Sequence, residues 1–587
     1  MKDFLAIIFS CLLGTCPPSA DADGVSASKS LSHIQTQAGL SDAEFFQRYS
    51  TTSLSGNYLS SQFAQRHHDW QRAVVFTKPL LESSPDNNQL INKTMVLAMG
   101  SGQSKAAIEL AHKLLDGNDQ NSALALLFVA LDHFSKKEFK EAAEYIEKMP
   151  EGSLSEFILP LLESWSQAAV GVHDTKNLDK NTIHIHHAIL IADLLGETTH
   201  IETLLQKSLN ASGLALQDLE RIADVYAYIG KREIALELYQ KLFTEWPDNR
   251  PLGQKLESFK QGSTTKYLKT MSSPQEGMAE ALYDMARLLF QEYSDDSARV
   301  FAHMALFLNP NLTDANLLLG YITARNDQYD EAIAYYQTVQ PDNVKYPEAR
   351  RMAADLLEST GRIDEALNEL EALYKNRDDL EALIQMGDIY RRSEGFKKAI
   401  SKYNQAAKSF DGKITQEYWQ LYYVRGMSYE RLGQWKKAEA DLSAALEYQP
   451  ENPLILNYLG YAWADQGVKL QESLELIRKA AALRPTDGYI IDSLGWVLYR
   501  MGKYEEAVPH LEKAVELLPY DPIINDHLGD VYWKVGRNLE ARFQWTRAQN
   551  HSEDDELITT IADKLENGLD ADERVKEAKS QNSDDKI

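Results

Sequence analysis

The residues with the clearest ligand chemistry are four histidines: His184, His186 and His187, with His200 downstream. Imidazoles three residues apart on a helix share a face, so His184 and His187 could reach one ion, but no carboxylate at matching spacing completes a ligand set. The cluster therefore reads as surface histidines rather than a metal centre. Paired carboxylates for hydrolysis cannot be singled out either. The chain holds 87 Asp and Glu residues, and on helices a catalytic pair has the same spacing as a solvated face. No nucleotide-binding glycine loop, Walker lysine, serine-nucleophile elbow or zinc-protease helix is present. The only cysteines are Cys11 and Cys16, which removes thiol chemistry and cysteine metal sites from the body of the protein. Neither a cofactor nor enzymatic activity is expected.

A chain of this kind acts through surfaces, and the elements that carry them repeat. Residues 488–550 hold two successive copies of one helical hairpin. Leu494, Gly495, Leu498, Ala507, Leu511, Ala514 and Pro519 mark the first, and Leu528, Gly529, Tyr532, Ala541, Trp545 and Ala548 recur 34 residues later. Leu494 and Leu498 share a helical face, as do Ala507, Leu511 and Ala514, with Met501-Gly502-Lys503 as the turn between. Gly495 and Ala507 are small because the helices cross closely there, and Pro519 stops the second helix. One such hairpin cannot bury its apolar face alone, so neighbours must stack on it. The small residue at the crossing recurs as Ala298, Ala332, Ala366, Ala399, Ala438, Ser473, Ala507 and Ala541, at spacings of 34, 34, 33, 39, 35, 34 and 34. The long interval runs through Asp411-Gly412-Lys413-Ile414-Thr415, an extended loop between repeats, and the 35 reflects one added residue near Val468. Pro310, Pro450, Pro485 and Pro519 close four copies at one repeat position.

This pattern resembles the tetratricopeptide repeat (TPR), most regularly over 279–550 and in divergent form over 54–250. The resemblance implies an all-α, TPR-type α-solenoid, a right-handed superhelix of helical hairpins. Two superhelical halves are expected, a divergent one at 54–259 and a regular one at 279–550, joined by a linker at 260–278. Ala64, Trp70, Ala73 and Pro85 mark the first hairpin, and Ala107 and Leu114 the second. Helical patterns continue at 123–133, 139–148, 157–169, 183–195 and 200–209, around a loop at 171–181, and a further copy spans 216–247. An amphipathic stretch within 551–569 suits a capping helix, followed by an acidic, disordered tail at 570–587.

In TPR proteins the first helix of each hairpin lines a concave groove. The resemblance carries that role to Tyr423, Met427 and Arg431, to Asn457 and Tyr461, to Tyr489, Asp492, Trp496, Tyr499 and Arg500, and to Asp526, Asp530, Trp533 and Lys534. Aromatics beside hydrogen-bonding groups suit a protein or peptide partner, while the same rings could instead pack on the adjacent hairpin. Asp492, Asp526 and Asp530 stand where a clamp for a C-terminal carboxylate would place Lys, Asn and Arg, which turns the expected ligand toward basic or amide-rich segments.

The N-terminus reads as an export signal over 1–22. Lys2 precedes the apolar run 4–13, and Ala20-Asp21-Ala22 offers a cleavage site. Leu13-Gly14-Thr15-Cys16 resembles a lipoprotein box, so lipidation of Cys16 is the other reading, with attachment to a membrane only through that lipid. Residues 23–53 form a flexible lead-in. The net charge of −26 disfavours nucleic acid. Together these features indicate a noncatalytic adaptor in the bacterial envelope. Its partners would be proteins, on the likeness to exported TPR lipoproteins that bring substrates to a C-terminal processing protease. The competing reading is a subunit that binds or modifies cell-wall glycans.

Overall fold

The computed structural model describes residues 53–117, 121–150, 155–197, 201–209, 216–247, 249–262, 271–410 and 413–569. The signal and Cys16, most of the lead-in, His200, the centre of the 260–278 segment and the acidic tail lie outside them. The described residues form 29 α-helices and no strand. They divide into two compact units, 1–369 and 370–587.

The last three hairpins are built from the same local devices. The first helix opens on a short polar cap: Asn452, Asp487 and Asp521 each accept hydrogen bonds from the backbone N–H groups two and three residues on. It ends where one residue turns left-handed, at Gly502 (φ +74°) and Gly536 (φ +80°) in the last two hairpins. There Lys503 N–H reaches back to the Leu498 carbonyl and closes the helix end. The hairpin at 453–483 has left-handed residues at both Gly467 and Lys469, which is how the added residue near Val468 is absorbed in the turn.

The helices of a pair meet at a glycine. A Cβ on Gly495 would stand 2.4 Å from Leu511, one on Gly529 2.4 Å from Trp545, and one on Gly387 2.3 Å from Tyr403. The facing helix presents its own small residues beside these side chains, with Ala507, Ala514, Ala541 and Ala548 fully buried. Ala507→Leu therefore has no room, and overpacking at such a crossing costs about 1–3 kcal/mol. Thermal unfolding should show that loss, and hydrogen exchange should place it in the flanking hairpins as well as at 504–517, because each repeat is held only by its neighbours.

The divergent region is helical where its periodicity indicated, at Ala123–Ser135, Phe139–Glu147, Ser155–Ala169, Thr182–Leu194 and Ile201–Leu209, with 171–181 non-helical. The division of the chain differs from the two halves expected around 260–278. Pro274 begins a helix, Pro274–Gln291, which packs on Ser155–Ala169 and Thr182–Leu194. A Cβ on Gly277 would meet the Trp165 ring at 2.1 Å. The next helix, Asp295–Leu308, packs on Asn88–Gly100 and Ala123–Ser135. Its buried Arg299 donates to the Gly100 carbonyl at 2.6 Å and to Glu331 at 2.5 Å. These contacts put both sides of the expected linker into one unit.

Candidate functional site

The three described histidines of the cluster are not surface groups. His184 and His187 are fully buried, and His186 is half-buried. His184 Nε2 lies 2.7 Å from the Phe157 carbonyl, and Trp165 Nε1 donates to His187 Nδ1 at 3.1 Å. That bond leaves the His187 proton on Nε2, 3.3 Å from Asp284 Oδ2. Asp284 is itself fully buried and takes a forked pair from Arg221, at 2.8 and 3.2 Å, with Arg287 Nε at 3.3 Å. Burial pushes the Asp284 carboxyl up, but Arg221, then His187 and Arg287, outweigh it and hold the group well below its ordinary value. Burial, with Arg221 next, lowers His186 well below its own. The cavity beside His186 and Arg221 measures about 10 Å³, room for one water and far short of a substrate site. Among the described residues no group of three or more His, Cys, Asp or Glu side chains is placed to hold a metal ion. The cluster thus joins four helices and exposes no chemistry.

The inner helices of the second unit present a different surface. Trp496 stacks against Tyr499 at 4.9 Å and against His527 at 3.9 Å, with the Arg500 guanidinium 5.9 Å from its ring. Its indole Nε1 is buried and has no hydrogen-bond partner, and neither does the Oδ1 of half-buried Asn457 on the preceding inner helix. Tyr423 meets Tyr458 edge-on at 5.9 Å, and the Tyr458 hydroxyl donates to Glu430. Tyr461, Met427 and Lys534 are half-buried, Arg431 is exposed, and Arg500 donates to the Asp465 carbonyl at 2.6 Å.

Three carboxylates assigned to the groove already have partners within the chain. Asp492 lies 3.0 Å from His527 Nδ1 through both oxygens. Asp526 and Asp530 both accept from Lys564 Nζ, at 2.8 Å, and Asp530 also accepts from Trp545 Nε1 at 2.9 Å. Trp533 stands apart from the Trp496 stack. Its ring lies against Trp545 at 5.4 Å and under Gly568, whose Cβ position is 2.2 Å from it.

Segments 351–414 and 423–488 match the family described as tetratricopeptide repeat, and 495–536 match that described as TPR repeat. This chain carries tetratricopeptide repeats. Over 191 residues it is 30% identical to the TPR repeat-containing protein PA4667 of Pseudomonas aeruginosa, a stretch that is 32% of this chain. The chain spans 31% of the length of that relative. Two solved structures resemble it at low identity. One is a tetratricopeptide repeat protein from Parabacteroides merdae, at 16% identity, 43% of this chain, 99% of that one and a TM-score of 0.35. The other is a chain of the APC/C hetero-tetramer Cut9–Hcn1, at 15% identity, 89% of this chain, 98% of that one and a TM-score of 0.38.

The TPR register also places Leu454 and Ile523, which the groove assignment missed, at the repeat position of the assigned Tyr489. Leu454, Tyr489 and Ile523 each follow an N-cap by two positions, 35 and 34 residues apart, and are 46%, 59% and 51% exposed. Three large apolar side chains thus stand in solvent at one edge of successive inner helices. The signal was in the sequence, since Asn452, Asp487 and Asp521 mark the same cap in each copy. Lys564, 34 residues beyond Asp530, and His527, next to Asp526, went unassigned.

The charged cluster sets a pH dependence. Burial, then Asp526, raise the Asp530 carboxyl to about 6, against the opposing pull of Lys564 and His527. Burial opposes protonation of His527, but Asp492, then Asp526 and Asp530, raise its pKa above the ordinary 6.5. Both groups hold their protons more tightly in the folded chain. The stability from Asp530 is therefore present below its ordinary 3.8 and lost as pH rises through about 6, while that from His527 is present below 6.5 and lost above it. Hydrogen exchange over 538–567 should show an opening free energy lower by about 2 kcal/mol at pH 8 than at pH 4.5. Asp530→Asn should flatten much of that slope.

Proposed function

We propose that this TPR chain is a noncatalytic scaffold that binds a protein partner along the inner helices Trp419–Arg431, Pro453–Asp465, Gly488–Arg500 and Pro522–Lys534. The observation that carries this is the rail of Leu454, Tyr489 and Ile523, exposed at one position of three consecutive repeats. Neighbouring packed helices lie about 8–10 Å apart, so a bound segment can set successive apolar side chains against the rail.

The location we propose is the bacterial envelope, reached through the N-terminal signal or a lipid on Cys16. There the chain would bring substrates to a C-terminal processing protease, in the manner of the exported TPR lipoproteins it resembles. A photocrosslinking residue at position 489, used in cells and followed by fractionation, tests both parts. One discrete crosslinked partner in the envelope fraction is expected. A product confined to the cytoplasm overturns the location, and no specific product overturns the binding face. With that partner in hand, Tyr489→Ala combined with Ile523→Ala should weaken association by about 2 kcal/mol or more, with the melting temperature kept because both side chains are solvated.

A further inference from the structure

The last inner helix, Pro522–Lys534, is the one whose face is already occupied, and its occupant is the chain itself. Helix Asp555–Asn567 follows the final hairpin and projects Lys564 onto Asp526 and Asp530, its ammonium 2.8–3.0 Å from all four oxygens. Gly568 then crosses Trp533 with φ +70°, where the absence of a Cβ lets the backbone lie on the ring, and Leu569 is buried after it. An acidic pair with a lysine seated in it, next to an indole on which the following glycine lies, is a cation site with its ligand in place.

The attachment of this segment is thin. Within Asp555–Asn567 only Ile561 and Lys564 are buried, whereas Pro522–Lys534 buries nine residues. One of those two is a charged group, and burial works against its charge before Asp530 and Asp526 restore it. Leu557 and Leu565 pack half-buried beside Ile561, and Arg542 donates to the Leu565 carbonyl, but a terminal helix docked on the last hairpin alone belongs to the part of a fold that opens locally, ahead of global unfolding. When it opens, two adjacent carboxylates lose their only lysine, and the notch they form beside Trp533 is open to another cation.

We propose that residues 555–569 are an exchangeable occupant of a lysine-recognition notch formed by Asp526, Asp530 and Trp533, and that a partner segment bearing a lysine takes this place when they leave. The notch is separate from the Leu454–Tyr489–Ile523 rail, so it stands or falls independently of the binding face proposed above. Its seated ligand also specifies the partner's chemistry: a helical segment with one lysine whose neighbours include a small residue able to lie on the indole.

The test uses the full chain and a labelled synthetic peptide with the sequence of residues 555–569. Lys564→Met in the full chain removes the resident ammonium but leaves both carboxylates, so the peptide should bind this variant at least tenfold more tightly than it binds wild type. Ile561→Ala loosens the segment without touching the notch, and it should raise peptide affinity in the same direction. A peptide carrying Lys564→Met should lose at least tenfold on either variant. Binding that is indifferent to the peptide lysine overturns the proposal, as does absence of binding to both variants. Hydrogen exchange on wild type adds a second reading: amides of 555–567 should exchange as a group ahead of 522–551, and exchange of both together overturns the proposal.

Discussion

Asp284→Asn is expected to lower the stability of the first unit by about 3–5 kcal/mol, since breaking a buried pair strands the opposite charge. The carboxylate has no exposed surface and is the shared partner of Arg221 and Arg287, with His187 Nε2 beside it. The amide keeps the shape but gives up the charge, and Arg221 has only about a quarter of its side chain in water to fall back on. Urea denaturation should report the loss. Hydrogen exchange should place it at 155–194 and 274–291, the segments this residue joins. Replacing Asp284 and Arg221 together with Leu should restore part of the stability, because an apolar pair leaves no buried charge unpaired. A single variant as stable as wild type would show that the cluster is not what ties helix Pro274–Gln291 to the helices before it.

The second large effect belongs to Trp545→Ala, expected to cost about 3–5 kcal/mol as for other buried aromatics. The ring is fully buried over Gly529 and its Nε1 supplies one of the hydrogen bonds that settle Asp530. Truncation therefore opens a cavity and removes a donor from a carboxylate already pushed up to about 6. Gly529→Ala attacks the same contact from the other helix. Its new methyl would need the space of Trp545, at a typical cost of about 1–3 kcal/mol. The two changes should be strongly non-additive in a double-mutant cycle, since either one alone abolishes the packing of ring on backbone. Additive losses in thermal or urea unfolding would mean that the two positions do not share one contact.

Much of the architecture is written in short-range pattern. Small residues at Gly495, Ala507, Gly529 and Ala541, turn residues such as Gly502 and caps such as Asp487 each enforce a local geometry, and a 34-residue period multiplies it along the chain. The pattern was therefore readable even in the divergent region, where 123–169 and 182–209 are helical as their periodicity indicated. Position within the repeat was readable for the same reason, because a repeat register places a side chain on the first helix without knowledge of its neighbours.

Partnership was not readable, because it is decided between residues that no local rule connects. Burial of His184 and His187 depends on helix Pro274–Gln291 returning to Trp165 and His187, about a hundred residues away in sequence, with Asp284 as the counter-charge. Asp526 and Asp530 have the composition of a free acidic surface, yet Lys564 from a single following helix donates to both. Trp496 and Trp533 were assigned to the groove alike, but one ring stacks on Tyr499 and His527 and the other lies beneath Gly568. A period in sequence specifies which way a side chain points. Only the packing of separate helices settles whether what it meets there is solvent, a partner, or another part of the same chain.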